Sequence, residues 1–214
     1  MKSNGLLYII IDRETLKKAK KNLRKISKEI LKAEPDFIQL RLNGICTKMA
    51  LNQAQEIHSI MKHCRKTKLL INDRVDIAKA IGADGVHLGT QDLPAACART
   101  ILGKKAIIGK TAHSLQEALQ SLKEPVDYIS LGPAFKTRLK PELKPLGIKK
   151  IKEIVEKIKA VNENATLFLI GGITLKNIYL LTAANIKNVA LASGVLLSRN
   201  PKSTIGKLKK IISN

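Results

Sequence analysis

The sequence has no tryptophan and only three phenylalanines and three tyrosines in 214 residues. That is too little aromatic surface to read nucleic-acid bases by stacking. Its three cysteines, Cys46, Cys64 and Cys97, are odd in number and lack CxxC spacing. This argues against a disulfide framework and a zinc site and fits reduced thiols. Long apolar runs are also missing. The longest early one, Leu6 to Ile11, is too short for a signal-peptide core or a membrane span, and polar segments interrupt every later one. The expectation is a soluble cytoplasmic protein without a membrane partner.

Acidic residues are scarce, 17 against 39 Lys and Arg, for a net charge of +22. Such a charge usually suggests nucleic acid, anionic membranes or anionic substrates. Of the 39 cations, however, 31 are Lys and eight are Arg, and they are scattered along presumed helix faces such as Lys17, Lys18, Lys20 and Lys21. Arg is the specialised phosphate fork. Solvated lysine faces and small phosphorylated substrates are therefore expected, rather than a nucleic-acid partner. The length favours one domain over residues 1–214.

Short β-like apolar runs alternate with helical patterns along the whole chain. The runs are Leu6–Ile11, Phe37–Leu42, Leu69–Ile71, Gly85–Leu88, Ala106–Ile108, Tyr128–Leu131, Leu167–Ile170 and Val189–Ala192. Between the first two, Leu16, Ala19, Leu23, Ile26 and Ile30 step by three and four; before the seventh, Ile148, Ile151, Ile154, Ile158 and Val161 do the same. Ser114 with Glu117 three residues on reads as an N-cap and capping box. Eight β runs, each followed by a helical one, favour a compact (β/α)8 TIM barrel over an open doubly wound sheet. Active sites of such barrels lie where strands end, so the polar residues after each run are the candidates.

Gln39 and Arg41 are two apart, hence on one side of a strand, and both can meet one anion. Asp73 and Asp92 follow the third and fourth runs. Together they could share a Mg²⁺, which takes one or two carboxylates plus phosphate oxygens; either alone could instead cap a helix. Gly171-Gly172 and Ala192-Ser193-Gly194 follow the seventh and eighth runs, the usual place for a phosphate cradle. The longest loop, Gly132 to Gly147, carries Lys136, Arg138, Lys140 and Lys144 and is expected to act as a basic lid. His58 and His63, five apart in the second helical segment, are read as surface or packing residues. His87 alternates with buried positions, and His113 is read as a core or helix-start residue within reach of substrate.

Taken in order, Gln39-Leu40-Arg41, the stretch from Ile71-Asn72-Asp73-Arg74 to Asp76, Gly82 to Gly89, the Gly132-Pro133 loop and Ile170-Gly171-Gly172-Ile173 closely resemble thiamine phosphate synthases. The likeness spans nearly the whole chain and extends to the sister TenI-type thiazole tautomerases, which share the barrel. The resemblance implies a transferase joining 4-amino-2-methyl-5-pyrimidinylmethyl diphosphate to 4-methyl-5-(2-phosphoethyl)thiazole, releasing diphosphate through a pyrimidinylmethyl cation. It implies that Arg41 and Lys140 are catalytic and that Gln39, Arg41, Asn72 and Lys140, with Thr111 in place of the usual Ser, hold the pyrimidine diphosphate. It places Mg²⁺ on Asp73 and Asp92, and the thiazole phosphate on Thr137, Gly171, Gly172, Ala192 and Ser193.

Two positions depart from the pattern. Leu42 and Asn43 replace an acidic residue and a diphosphate-binding Lys, and Leu139 replaces a second Thr at the thiazole phosphate site; Lys110, Lys136 and Arg138 are the candidate compensators. The alternatives are a thiazole tautomerase using His113 as acid–base group, a drifted paralogue, and a non-catalytic sensor or basic nucleic-acid binder. A homodimer is left open.

Overall fold

The computed structural model describes residues 5–62, 64, 66–137 and 139–213. The expectations for His63 and Arg138 lie outside these residues. Eight parallel strands close into a barrel in chain order: β1 Leu7–Asp12, β2 Phe37–Arg41, β3 Lys68–Asn72, β4 Gly85–Leu88, β5 Ile107–Ala112, β6 Tyr128–Leu131, β7 Leu167–Ile170 and β8 Val189–Leu191. Helices α1 Arg13–Lys18 and α2 Leu23–Leu31 follow β1, and α3 Thr47–Met61 follows β2. Then α4 Val75–Ile81, α5 Ala95–Leu102, α6 Leu115–Ser121, α7 Gly147–Val161 and α8 Ile178–Thr182 each follow one strand, and α9 Ser193–Leu196 and α10 Pro201–Ser213 follow β8.

All eight runs form strands, with two differences from the sequence reading. β5 continues beyond Ile108 through Gly109, Lys110, Thr111 and Ala112; a polar and glycine-containing stretch hid strand from a search for apolar runs. The first helical segment is two helices rather than one. Lys20 adopts φ +52° and the Asn22 side chain accepts from the Lys25 N–H at 2.9 Å, starting α2 afresh. Elsewhere Ser114 does cap α6, accepting from the Glu117 N–H at 3.2 Å, while the Glu117 carboxylate reaches the His113 N–H at 2.8 Å. In α7, Ile151, Ile154 and Ile158 are buried, but Val161 is 68% exposed and off the packed face.

Strand alternation divides the interior into two cores. Leu7, Ile9 and Ile11 face the helices, while Tyr8 and Ile10 face the barrel axis with Leu70, Tyr128, Phe168 and Ala190. Four of the six aromatic residues thus fill the barrel: Tyr8, Phe37, Tyr128 and Phe168, with edge-on or tilted ring pairs 5.3–6.3 Å apart. At the lower rim an Asp or Asn just before each even-numbered strand caps a neighbouring chain start. Asp36 accepts from Leu7 N–H and Asp84 from Leu69 N–H at 2.8 Å, Asp127 from Ile108 N–H at 2.7 Å, and Asn188 from Leu6 N–H at 2.9 Å.

The aromatic filling demands a glycine opposite it. A methyl group on Gly109 would fall within the Tyr128 ring. Gly109→Ala is therefore expected to destabilise the protein by about 1–3 kcal/mol or more through overpacking, read as a lowered urea midpoint at unchanged m-value.

Candidate active site

A cavity of about 300 Å³ opens at the C-terminal ends of the strands. On β2, Gln39 and Arg41 both point to the barrel axis and line it. Gln39 is buried and its Nε2 donates to Asn72 Oδ1 at 3.2 Å. Arg41 Nη1 donates to Asp12 Oδ1 at 3.2 Å. Asp12 ends β1 and is buried; its other oxygen, Oδ2, accepts from the Thr15 N–H at 2.8 Å and hydroxyl at 2.6 Å. One carboxylate thus starts α1 and aims a guanidinium.

Asp73 and Asp92 line the same wall. Neither caps a helix: Arg74 and Pro94 occupy the N-cap positions of α4 and α5, without side-chain cap bonds. Asp73 leaves the sheet with φ +62° while its N–H donates to the His87 carbonyl at 2.8 Å, a left-handed conformation that Asp tolerates better than most residues. Asp92 Oδ2 accepts from the Gly89 N–H at 2.5 Å. Burial, and then hydrogen bonding and like charge from Asp92, push the Asp73 carboxyl up to about 7, against the opposing pull of Arg41 and Asn72. Two adjacent carboxylates that repel each other suit a hard cation taking one or two protein oxygens and completing its shell with water and phosphate. Among the described residues no cluster of three or more His, Cys, Asp or Glu offers a fuller metal cage.

The opposite arc comes from β6, β7 and β8. The loop after β6 is tied to β7 by Ala134 N–H to Ile170 O at 2.7 Å and Phe135 N–H to Gly171 O at 3.0 Å. It brings Thr137, Leu139, Lys140 and Leu143 to the cavity. Beneath it Gly171 and Gly172 have φ +95° and +66°. A Cβ on Gly171 would lie 2.5 Å from Pro133 Cβ, and one on Gly172 2.8 Å from Phe135 O. Both the backbone conformation and the crowding therefore require glycine. Ala192 and Ser193 complete this wall at the start of α9.

The floor carries a continuous buried polar chain. Tyr8 and Tyr128 hydroxyls are 2.9 Å apart, Tyr128 OH lies 2.8 Å from His87 Nδ1, and His87 Nε2 lies 2.8 Å from Thr111 Oγ1. Burial lowers His87 to about 4, so it is neutral, and raises both tyrosines. His113 also lines the cavity, its Nδ1 2.6 Å from the Gly132 carbonyl.

Of the expected site residues, Gln39, Arg41, Asn72, Asp73, Asp92, Thr111, Thr137, Leu139, Lys140, Gly171, Gly172, Ala192 and Ser193 converge here. Asn43 does not: it is exposed and outside the lining. Lys110 lies on the outward side of β5, paired with Glu124, and Lys136 is exposed away from the cavity. Arg41 and Lys140 are the arginine and lysine among the described lining residues. Sequence reading passed over Asp12, although inspecting the end of the first β run would have found it, and passed over the Tyr8–Tyr128–His87 chain, which no spacing announces. Cys46 and Cys97 are exposed free thiols, and Cys64 is a partly buried one.

The sequence matches the family described as thiamine monophosphate synthase over residues 7–195. It is 36% identical over 197 residues to a thiamine-phosphate synthase of Clostridium novyi (strain NT), covering 92% of this chain and 93% of that protein. It is 32% identical over 202 residues to that of Clostridium tetani (strain Massachusetts / E88), covering 94% and 93%. A thiamine phosphate pyrophosphorylase structure from Pyrococcus furiosus superposes with TM-score 0.83 at 28% identity, over 97% of this chain and 95% of that one.

The acidic pair has a pH signature. Because the Asp73 pKa is raised in the folded state, the folded protein binds an extra proton between the ordinary Asp value of 3.8 and about 7. That contribution to stability is complete below this window and lost as pH rises through it. In chelator, the melting temperature of wild type relative to Asp73→Asn should therefore fall as pH is raised across the window, and Mg²⁺ should restore it on the alkaline side. A pH-independent difference would refute the pairing of the two carboxylates.

Proposed function

The chain belongs to the thiamine monophosphate synthase family, and from that premise we propose that it joins 4-amino-2-methyl-5-pyrimidinylmethyl diphosphate to 4-methyl-5-(2-phosphoethyl)thiazole, forming thiamine phosphate and diphosphate. The observation that carries this reading is the division of one cavity into two anion-friendly arcs. Arg41 and the Asp73–Asp92 pair stand on one side, the glycine turns after β7 and β8 on the other, and Lys140 reaches in from the loop after β6. In the closed strand order β3 faces β7 across the barrel, so two phosphorylated substrates can meet over the floor between them.

By family analogy the C–O bond to diphosphate breaks first and its electron pair leaves with the diphosphate. The thiazole nitrogen then shares its lone pair with the resulting pyrimidinylmethyl cation, so no proton need be moved. Catalysis of such an ionisation is charge stabilisation plus positioning. Arg41 and Lys140 donate to the departing oxygens in a partly enclosed site where those bonds are stronger than in water. Asp12 keeps Arg41 aimed. Asp73 and Asp92 would hold Mg²⁺, which supplies further neutralisation of the leaving charge. Gln39, Asn72 and Thr111 face the pyrimidine diphosphate; Thr137, Gly171, Gly172, Ala192 and Ser193 cradle the thiazole phosphate. Leu139 offers that subsite an apolar wall instead of a hydroxyl. The lysine-rich exterior steers such anions inward without a nucleic-acid or membrane partner.

A second reading, a thiazole tautomerase, has one observation in its favour. With Nδ1 bound to the Gly132 carbonyl, His113 has its other ring nitrogen available for proton transfer in the same cavity.

Incubation with both substrates and Mg²⁺, followed by chromatography, should yield thiamine phosphate, and a chelator should abolish it. Asp92→Ala should lower turnover by about a hundredfold. Product formed equally in chelator would overturn the metal assignment, while isomerisation of the thiazole phosphate without synthesis would favour the second reading. Asp12→Asn keeps a good N-cap but removes the charge partner of Arg41. It should raise KM for the pyrimidine diphosphate by roughly tenfold and leave that for the thiazole phosphate unchanged.

A further inference from the structure

We infer that the buried chain Tyr8–Tyr128–His87 fixes Thr111 as a hydrogen-bond donor to the ligand, so that this end of the cavity selects a heteroaromatic ring presenting an unprotonated nitrogen. The inference rests on reading the cavity as the pyrimidine diphosphate site.

The direction of the chain follows from its closed end. Among the described residues Tyr8 OH has a single partner, Tyr128 OH, and around it lie Phe37, Phe168 and the other apolar residues of the barrel axis. A hydroxyl has one proton to place and two lone pairs, and an orphaned buried donor is costlier than an underused acceptor. Tyr8 must therefore donate to Tyr128. Tyr128 then has its own proton free for His87 Nδ1, which must be unprotonated to receive it. A neutral ring so arranged carries its proton on Nε2 and donates to Thr111 Oγ1. An imidazolium, or the other tautomer, would make Nδ1–H donate to Tyr128, and one of the two tyrosine protons would then have no acceptor.

The stacking of the His87 ring on Tyr128, 5.6 Å between centroids and 20° between planes, leaves the imidazole little freedom to turn over. Thr111 therefore accepts from within the barrel, and its own proton is left for the cavity it lines. A ring nitrogen of an aminopyrimidine accepts such a proton, whereas a ring presenting N–H or C–H there would leave it unpaired. His87, Tyr128 and Tyr8 touch no substrate in this arrangement; they are positioning residues acting through Thr111.

Long-range ¹H–¹⁵N correlation spectra of ¹⁵N-labelled protein at neutral pH read the tautomer directly. The His87 signals are identified by their loss in His87→Gln or, if that variant does not fold, by removing His58, His63 and His113 in turn. A proton on Nε2 with Nδ1 bare is expected; a proton on Nδ1, or an imidazolium, would overturn the inference. Thr111→Ser should retain KM for the pyrimidine diphosphate within about threefold. Thr111→Val should raise it roughly tenfold while KM for the thiazole phosphate stays unchanged. Equal behaviour of the Ser and Val variants would remove Thr111 as donor. Protein that shows the Nε2–H tautomer but makes no thiamine phosphate would sink the function and keep the donor; active protein with the proton on Nδ1 would do the reverse.

Discussion

A parallel sheet closed on itself has room along its axis for only a few side chains from each strand, and that shortage of volume governs the molecule. Four aromatic rings occupy the lower part of the barrel, and they fit because Gly109 stands beside Tyr128. Closure also leaves backbone N–H groups unpaired at the lower rim, where Asp36, Asp84, Asp127 and Asn188 accept them in an alternating pattern. With the bottom filled and stitched, the remaining space lies at the mouth. There small residues, Ala190 on β8, Ala192 just after it and the glycine pair after β7, leave an open cavity.

Charge is distributed just as unevenly. The chain carries +22 overall, yet one arginine and one lysine, Arg41 and Lys140, reach the cavity among the described residues, and they share it with a repelling carboxylate pair. Surface lysines attract anions at a distance but do not orient them; Arg41 is oriented, because Asp12 holds it while also capping α1. A site of this composition is suited to a substrate that brings more negative charge than the protein can neutralise alone. Asp73 and Asp92 are the residues that would hold a divalent cation there, and it would supply the missing positive charge.

Much of this was legible along the chain. The alternation of apolar runs and helical stretches located all eight strands, and inspecting the residues after each run brought forward Arg41, Asn72, Asp73, Asp92 and the glycine turns. The misses have physical causes. Apolar periodicity continues from Leu16 to Ile30 across a break that only the Asn22 cap and the left-handed Lys20 create. β5 carries Lys110 on its outer side, where an ion pair with Glu124 makes a charge tolerable in a strand. Asn43, adjacent in sequence to site residues, falls outside the cavity because the chain has already left the strand there.

Periodicity and strand-end chemistry are local, and so the sequence alone was enough for the barrel class, the mouth that bears the site and most of the residues around it. What tertiary structure decided are relations between residues far apart in the chain. Asp12 meets Arg41 only because β1 and β2 pair in register. Asp73 is driven toward neutrality by its burial and by Asp92, which the turn after β4 sets beside it. Tyr8, His87, Thr111 and Tyr128, spread over 120 positions from first to last, form one hydrogen-bonded line only when the sheet has closed. Burial and proton direction depend on who stands opposite whom, which strand period does not encode and barrel closure does.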